Sequence, residues 1–135
     1  MTTIFIAGGI SGCPDWQKKF ITLFPQDLYT FINPRKDDFN PADSAKQIKW
    51  EFDNLRQANI ISFWFPAESI CPITLFEPGV WSNQTTKPVI IGLHPDYPRK
   101  FDVEQQMKWA RPDIKIVYSL EDLAEACMKI DLPPS

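Results

Sequence analysis

Ile60-Ile61-Ser62-Phe63-Trp64-Phe65 decides the fold. The run is short, β-branched and aromatic, and apolar at both odd and even positions. A strand with one wet face alternates apolar and polar residues. A strand apolar on both faces is covered by a layer on each side, as at the centre of a parallel sheet. Working outward, strand-like runs alternate with helix-like ones. Ile4 to Ala7 reads as a first strand and Gly8 to Gly12 as a glycine-rich turn. Pro14 suits a first helical position. Trp16, Phe20, Leu23 and Phe24 then fall on one helical face. Leu28 to Ile32 is a second strand, followed by a polar loop over residues 33 to 43 that contains Arg35. Ser44-Ala45-Lys46-Gln47 matches a capping box, and Ile48, Phe52 and Leu55 mark the buried stripe of the helix it opens.

Beyond the central run, Ser69-Ile70-Cys71-Pro72-Ile73-Thr74-Leu75-Phe76-Glu77-Pro78-Gly79 leads into a short helix. Lys87 to Gly92 is a fourth strand. Asp102 and Gln105 suit the start of a helix that Arg111-Pro112 ends, and Ile114 to Tyr118 is a fifth strand. Ser119 opens a last amphipathic helix to about Lys129, and a proline-containing tail follows from Leu132 to Ser135. Five strands alternating with helices predict an α/β fold. Right-handed crossovers and the length predict a five-stranded parallel sheet, order 2-1-3-4-5, with helices on both faces.

The chain has 135 residues, which predicts one domain spanning 1–135. Its 14 basic and 17 acidic residues give a formal charge of −3. That balance argues against a nucleic-acid polymer as partner, which a basic patch would attract. No apolar run approaches the ~20 residues of a membrane span, so no membrane partner is expected. The start, Met1-Thr2-Thr3-Ile4-Phe5-Ile6, reads as a strand rather than a secretory signal. Cys13, Cys71 and Cys127 form neither a disulfide framework nor a zinc pattern. A reducing, cytoplasmic setting is expected, and no metal or cofactor is implied.

Open α/β sheets bind ligands past the carboxyl ends of their strands, and Glu77 follows the central strand there. Its other reading is a helix-start acid, with Pro78 early in the helix. Glu51 lies one turn from Ile48 and Leu55, at the edge of the predicted stripe. There it is either a half-buried acid/base or the partner of Arg56 or Lys49. Two carboxylates facing one crevice fit glycosyl transfer, with retention when they stand about 5 Å apart. The turn with Gly8, Gly9 and Ser11 allows close backbone approach to a phosphate or a sugar hydroxyl, though a purely structural turn fits it equally well. Trp16, Trp50, Trp64, Phe65 and Trp81 could flank a planar base or simply pack. Arg35 and Arg99 could each hold a phosphate or carboxylate through two parallel bonds. His94, the sole histidine, and Tyr97 also lie in loops. Cys71 sits near the crevice without a clear activating group.

Taken in order, Ala7-Gly8-Gly9-Ile10-Ser11-Gly12, Gln47-Ile48-Lys49-Trp50-Glu51, Ala58-Asn59-Ile60-Ile61, Phe76-Glu77-Pro78-Gly79 and Lys87-Pro88-Val89-Ile90 resemble the nucleoside 2-deoxyribosyltransferases and their nucleotide N-glycosidase relatives. The similarity covers roughly residues 3 to 110. It implies a flavodoxin-like domain and cleavage of an N-glycosidic bond in 2′-deoxynucleosides or their monophosphates. It also implies a homo-oligomer in which a neighbour completes the site. Glu77 stands at the nucleophile's place and Glu51 at that of the acid that positions the sugar. Gly8, Gly9 and Ser11 match the turn lining the sugar or its 5′ side. The chain departs from the pattern in three places. Cys71 stands near where relatives often carry a base-contacting aspartate, Phe5 where some carry tyrosine, and Pro78 where an aliphatic residue is usual. These departures motivate a rival reading, a non-catalytic nucleotide-binding or sensing domain. A third reading is hydrolysis of another N-glycoside, such as a nicotinamide dinucleotide.

Overall fold

The computed structural model describes residues 1–35, 41–71, 77–78 and 87–131. The strands are β1 (Thr2–Gly8), β2 (Tyr29–Ile32), β3 (Ile60–Phe65), β4 (Val89–Leu93) and β5 (Ile116–Val117). They pair in the order β2-β1-β3-β4-β5, and every pairing is parallel. The predicted topology holds. Ile4 lies opposite Ile60, and Ile61 opposite Val89, so the most apolar strands occupy the three central places. All six β3 residues are buried.

The period of two in these strands separates two cores. Phe5, Ala7, Ile61, Phe63, Phe65, Ile91 and Leu93 cluster with Leu55, Val103 and Met107. These last three come from α2 (Ser44–Gln57) and α3 (Lys100–Ala110). Ile4, Ile6, Ile60, Trp64 and Ile90 cluster with Trp16, Phe20, Leu123 and Ala124. The helices on that side are α1 (Trp16–Thr22) and α4 (Leu120–Met128). Ser62, the polar residue of β3, is fully buried and donates its hydroxyl to the Phe5 carbonyl at 3.4 Å.

Several boundaries differ from the sequence reading. The first helix begins at Trp16 rather than Pro14, because the Asp15 carboxylate accepts the Lys18 N–H and caps it. Asp43 rather than Ser44 stands at the cap position, and its side chain makes no capping hydrogen bond. Ser44 is already helical, and a 3₁₀ turn, Pro41–Asp43, leads into it. Arg99 is the cap residue of α3, and Asp102 in its first turn pairs with Arg99 at 2.9 Å. Ser119 caps α4 as read, its Oγ accepting the Asp122 N–H at 3.0 Å. β2 starts at Tyr29, β4 starts two residues later and ends one later than expected, and β5 shrinks to two residues. Ile114 remains buried beside β5.

The largest correction concerns α2. Leu55 is buried as expected, but Ile48 is 66% exposed and Phe52 45%. The stripe is real as a periodicity, yet only its C-terminal end meets the sheet. The expected helix after Glu77, Trp81 within it, residues 36 to 40 of the polar loop and the tail from Leu132 lie outside the described residues.

Ile91 is fully buried in the centre of β4. Ile91→Ala removes three carbons from a two-sided core, and urea unfolding should show a loss of about 2–5 kcal/mol.

Candidate functional site

Because every strand runs the same way, the segments following β1, β3 and β4 leave the sheet at one edge. They are the glycine turn from Gly9 to Cys13, the loop from Pro66 to Cys71, and the loop from His94 to Arg99. Candidate residues from distant parts of the chain meet there for topological reasons.

The glycine turn is braced from inside. Arg35 donates Nε–H to Gln17 Oε1 at 2.9 Å, and its terminal nitrogen donates to the carbonyls of Ile10, Cys13 and Pro14. It also pairs with Asp15 at 3.6 Å. Fully buried Gln17 donates to the Gly9 carbonyl at 3.4 Å, as does the Trp16 indole N–H at 2.9 Å. Arg35, read from sequence as a ligand clamp, thus has its guanidinium engaged by the turn. Ser11 and Gly12 form the exposed rim of the turn, and Gly12 takes a left-handed φ of 73°.

Gly8 and Gly9 are required by close approach. A Cβ on Gly8 would stand 2.3 Å from Cζ2 of Trp16 and 2.5 Å from the Trp64 carbonyl oxygen. One on Gly9 would stand 2.8 Å from the sulfurs of both Cys13 and Cys71. Trp16 and Trp64 are both buried, their rings 6.5 Å apart in the α1–α4 core. Packing explains both tryptophans without a ligand. Among the other aromatics, Trp50 packs its ring on Phe5 at 6.5 Å.

The loop after β3 is held by the Tyr97 hydroxyl, which donates to the Ile70 carbonyl at 2.6 Å. Tyr97 is buried, and its ring lies 5.0 Å from that of Phe65. Ser69 Oγ accepts the Cys71 N–H at 3.1 Å. Cys71 is buried with φ 55°, a left-handed conformation that costs a non-glycine residue roughly 1–2 kcal/mol. His94 stacks edge-on against Trp64 at 6.4 Å and accepts the Asp96 N–H through Nδ1 at 3.0 Å. Arg99 is more than half exposed and paired with Asp102, at the strand-end edge but away from the braced turn's contacts.

Glu51 and Glu77 are both half-buried. Glu77 and Pro78 are both helical. Burial, and then the nearby Glu51 carboxylate, push the Glu77 carboxyl up to about 7. Two acids 26 positions apart in the chain therefore feel each other's charge. Desolvation plus a like charge is the pattern of a functional carboxylate pair. On the far flank of α2, Lys49 pairs with Asp53 at 2.9 Å.

The sequence reading missed three contributors. Gln17 carries a signal, a polar residue beside the apolar stripe of α1. Tyr97 and the Cys13–Cys71 contact carry none, because their partners are far away in the chain.

A family model described as nucleoside 2-deoxyribosyltransferase like matches residues 1–97. That span holds β1 to β4, both carboxylates, the glycine turn and the loop braced by Tyr97. No curated protein matches the chain. On the strength of that match over most of its length, the chain belongs to the nucleoside 2-deoxyribosyltransferase-like family.

Proposed function

We propose that the protein cleaves the N-glycosidic bond of 2′-deoxynucleosides or their 5′-monophosphates, with retention at the sugar, and passes the sugar to a second base or to water. What carries this reading is the burial of Glu77 close to the Glu51 carboxylate, which together raise it to about 7. In the ionised form Glu77 attacks C1′. The bond from C1′ to the base nitrogen breaks, and the base leaves after taking a proton. Glu51 holds the sugar and relays that proton. The ester between Glu77 and the sugar then yields to the incoming base nitrogen or to a water oxygen. In this reading Gly8, Gly9 and Ser11 line the sugar side, the loop ending at Cys71 borders the base, and Arg99, exposed and paired with Asp102, is a cation that could meet a 5′-phosphate.

The test is chromatography of the protein with mixed deoxynucleosides and monophosphates, with and without a second free base. A new deoxynucleoside establishes transfer, and free base alone establishes hydrolysis. Binding without any product assigns the domain to nucleotide sensing, while nicotinamide released from its dinucleotide assigns a different N-glycoside. Glu77→Ala should lower turnover by roughly a thousandfold or more while the protein still folds. Near-normal activity of this variant refutes the mechanism. Since the nucleophile must be anionic, kcat/KM should rise with pH through about 7.

Burial of Glu77 also has a stability signature. Its folded value lies above the 4.5 of an unperturbed glutamate, so the unfolded chain loses this proton first. Stability is therefore lost as pH rises from about 4.5 to about 7 and stays low above that. Glu77→Gln carries no such charge. Relative to the native protein it should gain up to about 3 kcal/mol at pH 8 and nothing near pH 4, as read by denaturant melts at both pH values.

The oligomer belongs to the same reading. Ile48 and Phe52 leave an apolar flank exposed on the helix that carries Glu51, where a second copy would cover it and wall the crevice. Sedimentation should show a dimer or larger assembly, and Ile48→Glu with Phe52→Glu should return it to monomer. A native protein that is monomeric at every concentration rules this interface out.

A further inference from the structure

Cys13 and Cys71 lie far apart in sequence, yet their sulfurs meet. The point where a Gly9 side chain would begin is 2.8 Å from each sulfur, so the two thiols are neighbours across that point. Each is oriented by its own turn: Cys13 Sγ donates to the Ser11 carbonyl at 3.6 Å, and Cys71 Sγ to the Ser69 carbonyl at 3.5 Å. The left-handed backbone of Cys71 turns its side chain inward, against Cys13. Gly9, lacking a side chain, leaves the space the sulfurs share. Cys13 is half-exposed and open to a small oxidant, whereas Cys71 is buried behind it. That is the arrangement of an attacked thiol and a resolving thiol. Cys127 is buried in α4, within the opposite core.

We propose that Cys13 and Cys71 form a reversible disulfide that staples the glycine turn after β1 to the loop after β3, with a peroxide as oxidant. The Cys13 sulfur attacks one peroxide oxygen. The S–O bond forms, the O–O bond breaks, and the leaving hydroxide departs as water. The Cys71 sulfur then attacks the Cys13 sulfenic acid. The S–S bond forms and a second water leaves with the thiol proton. Two thiols together supply two electrons, and one peroxide becomes two waters. Burial raises both thiols, Cys71 to about 11, so the step is slow near neutrality and contact between the sulfurs, not acidity, selects the pair. The staple joins two segments that leave the sheet at the same edge and holds them at a fixed separation.

The experiment treats the native folded chain with an equivalent of hydrogen peroxide, alkylates the remaining thiols and maps the peptides with and without dithiothreitol. The expected product is two hydrogens lighter. It contains one Cys13–Cys71 linked peptide and alkylated Cys127, and it reverts fully with dithiothreitol. Its melting temperature should rise, because the cross-link closes a long loop. Cys127→Ala should oxidise like the native chain, and Cys13→Ser should give no cross-link. A product that gains oxygen on Cys13 without linkage, a link through Cys127, or a disulfide between two chains overturns the proposal. None of these readings depends on catalytic turnover, so the staple stands or falls separately from the glycosidic reaction.

Discussion

Two-sided burial of β3 is the constraint on which everything else rests. A strand whose every side chain is dry needs cover on both faces. Helices supply that cover only through crossover connections, and crossovers make the strands parallel. Parallel strands in turn send the segments after β1, β3 and β4 out at one edge. The gathering of these segments at one edge is thus a by-product of how the core is covered. The register sharpens this. Gly8 lies opposite Trp64, and Trp64 opposite Gly92. The large indole fits between two strands because both neighbours lack a side chain at that level, and a Cβ on Gly92 would stand 2.6 Å from its ring.

The edge is shaped by polar groups that have been taken out of water and satisfied. Gln17 and Arg35 together hold carbonyls of the glycine turn that would otherwise point into the protein unpaired. Tyr97 does the same for the loop after β3, from a position following β4. Each loop of the candidate site is therefore braced by a residue from a different segment. Rigidity of this kind suits a site that must hold its reacting groups in place before substrate arrives.

Much of this was legible in the sequence, and the division is physical. The double-sided strand, its neighbours and the sheet order follow from local hydrophobic period and chirality, which any window of the chain carries. The Ser119 cap was readable for the same reason, being a contact three residues long. The α2 stripe was read only by half. Periodicity says which residues share a face, but not where along the helix that face stops meeting a neighbour, so Ile48 and Leu55 look alike in sequence and differ in burial. The role of Arg35 reversed from ligand clamp to internal brace because its partners lie about 20 positions earlier in the chain, with nothing periodic to announce them. Glu51 could be placed at the stripe's edge by helical spacing. Its pairing with Glu77 was raised from the chemistry two carboxylates allow and from the resemblance, since no local rule relates residues on two different elements.

The carboxylate pair closes the physical argument. Two half-buried acids that repel each other are a poor way to stabilise a fold, and Glu77 is held well above its ordinary value as a result. A cationic visitor at that edge relieves both costs at once. It supplies the counter-charge that water supplied before folding, and it draws Glu77 into its ionised form. A sugar ring developing positive charge at C1′ is such a visitor, and the relief grows as its charge develops. The interaction is thus stronger in the transition state than with the neutral substrate, which is the condition for accelerating a reaction rather than merely binding a ligand. The same destabilised pair offers no comparable gain to an uncharged sugar held without reaction, and this physical difference favours glycosyl transfer over passive recognition at this edge.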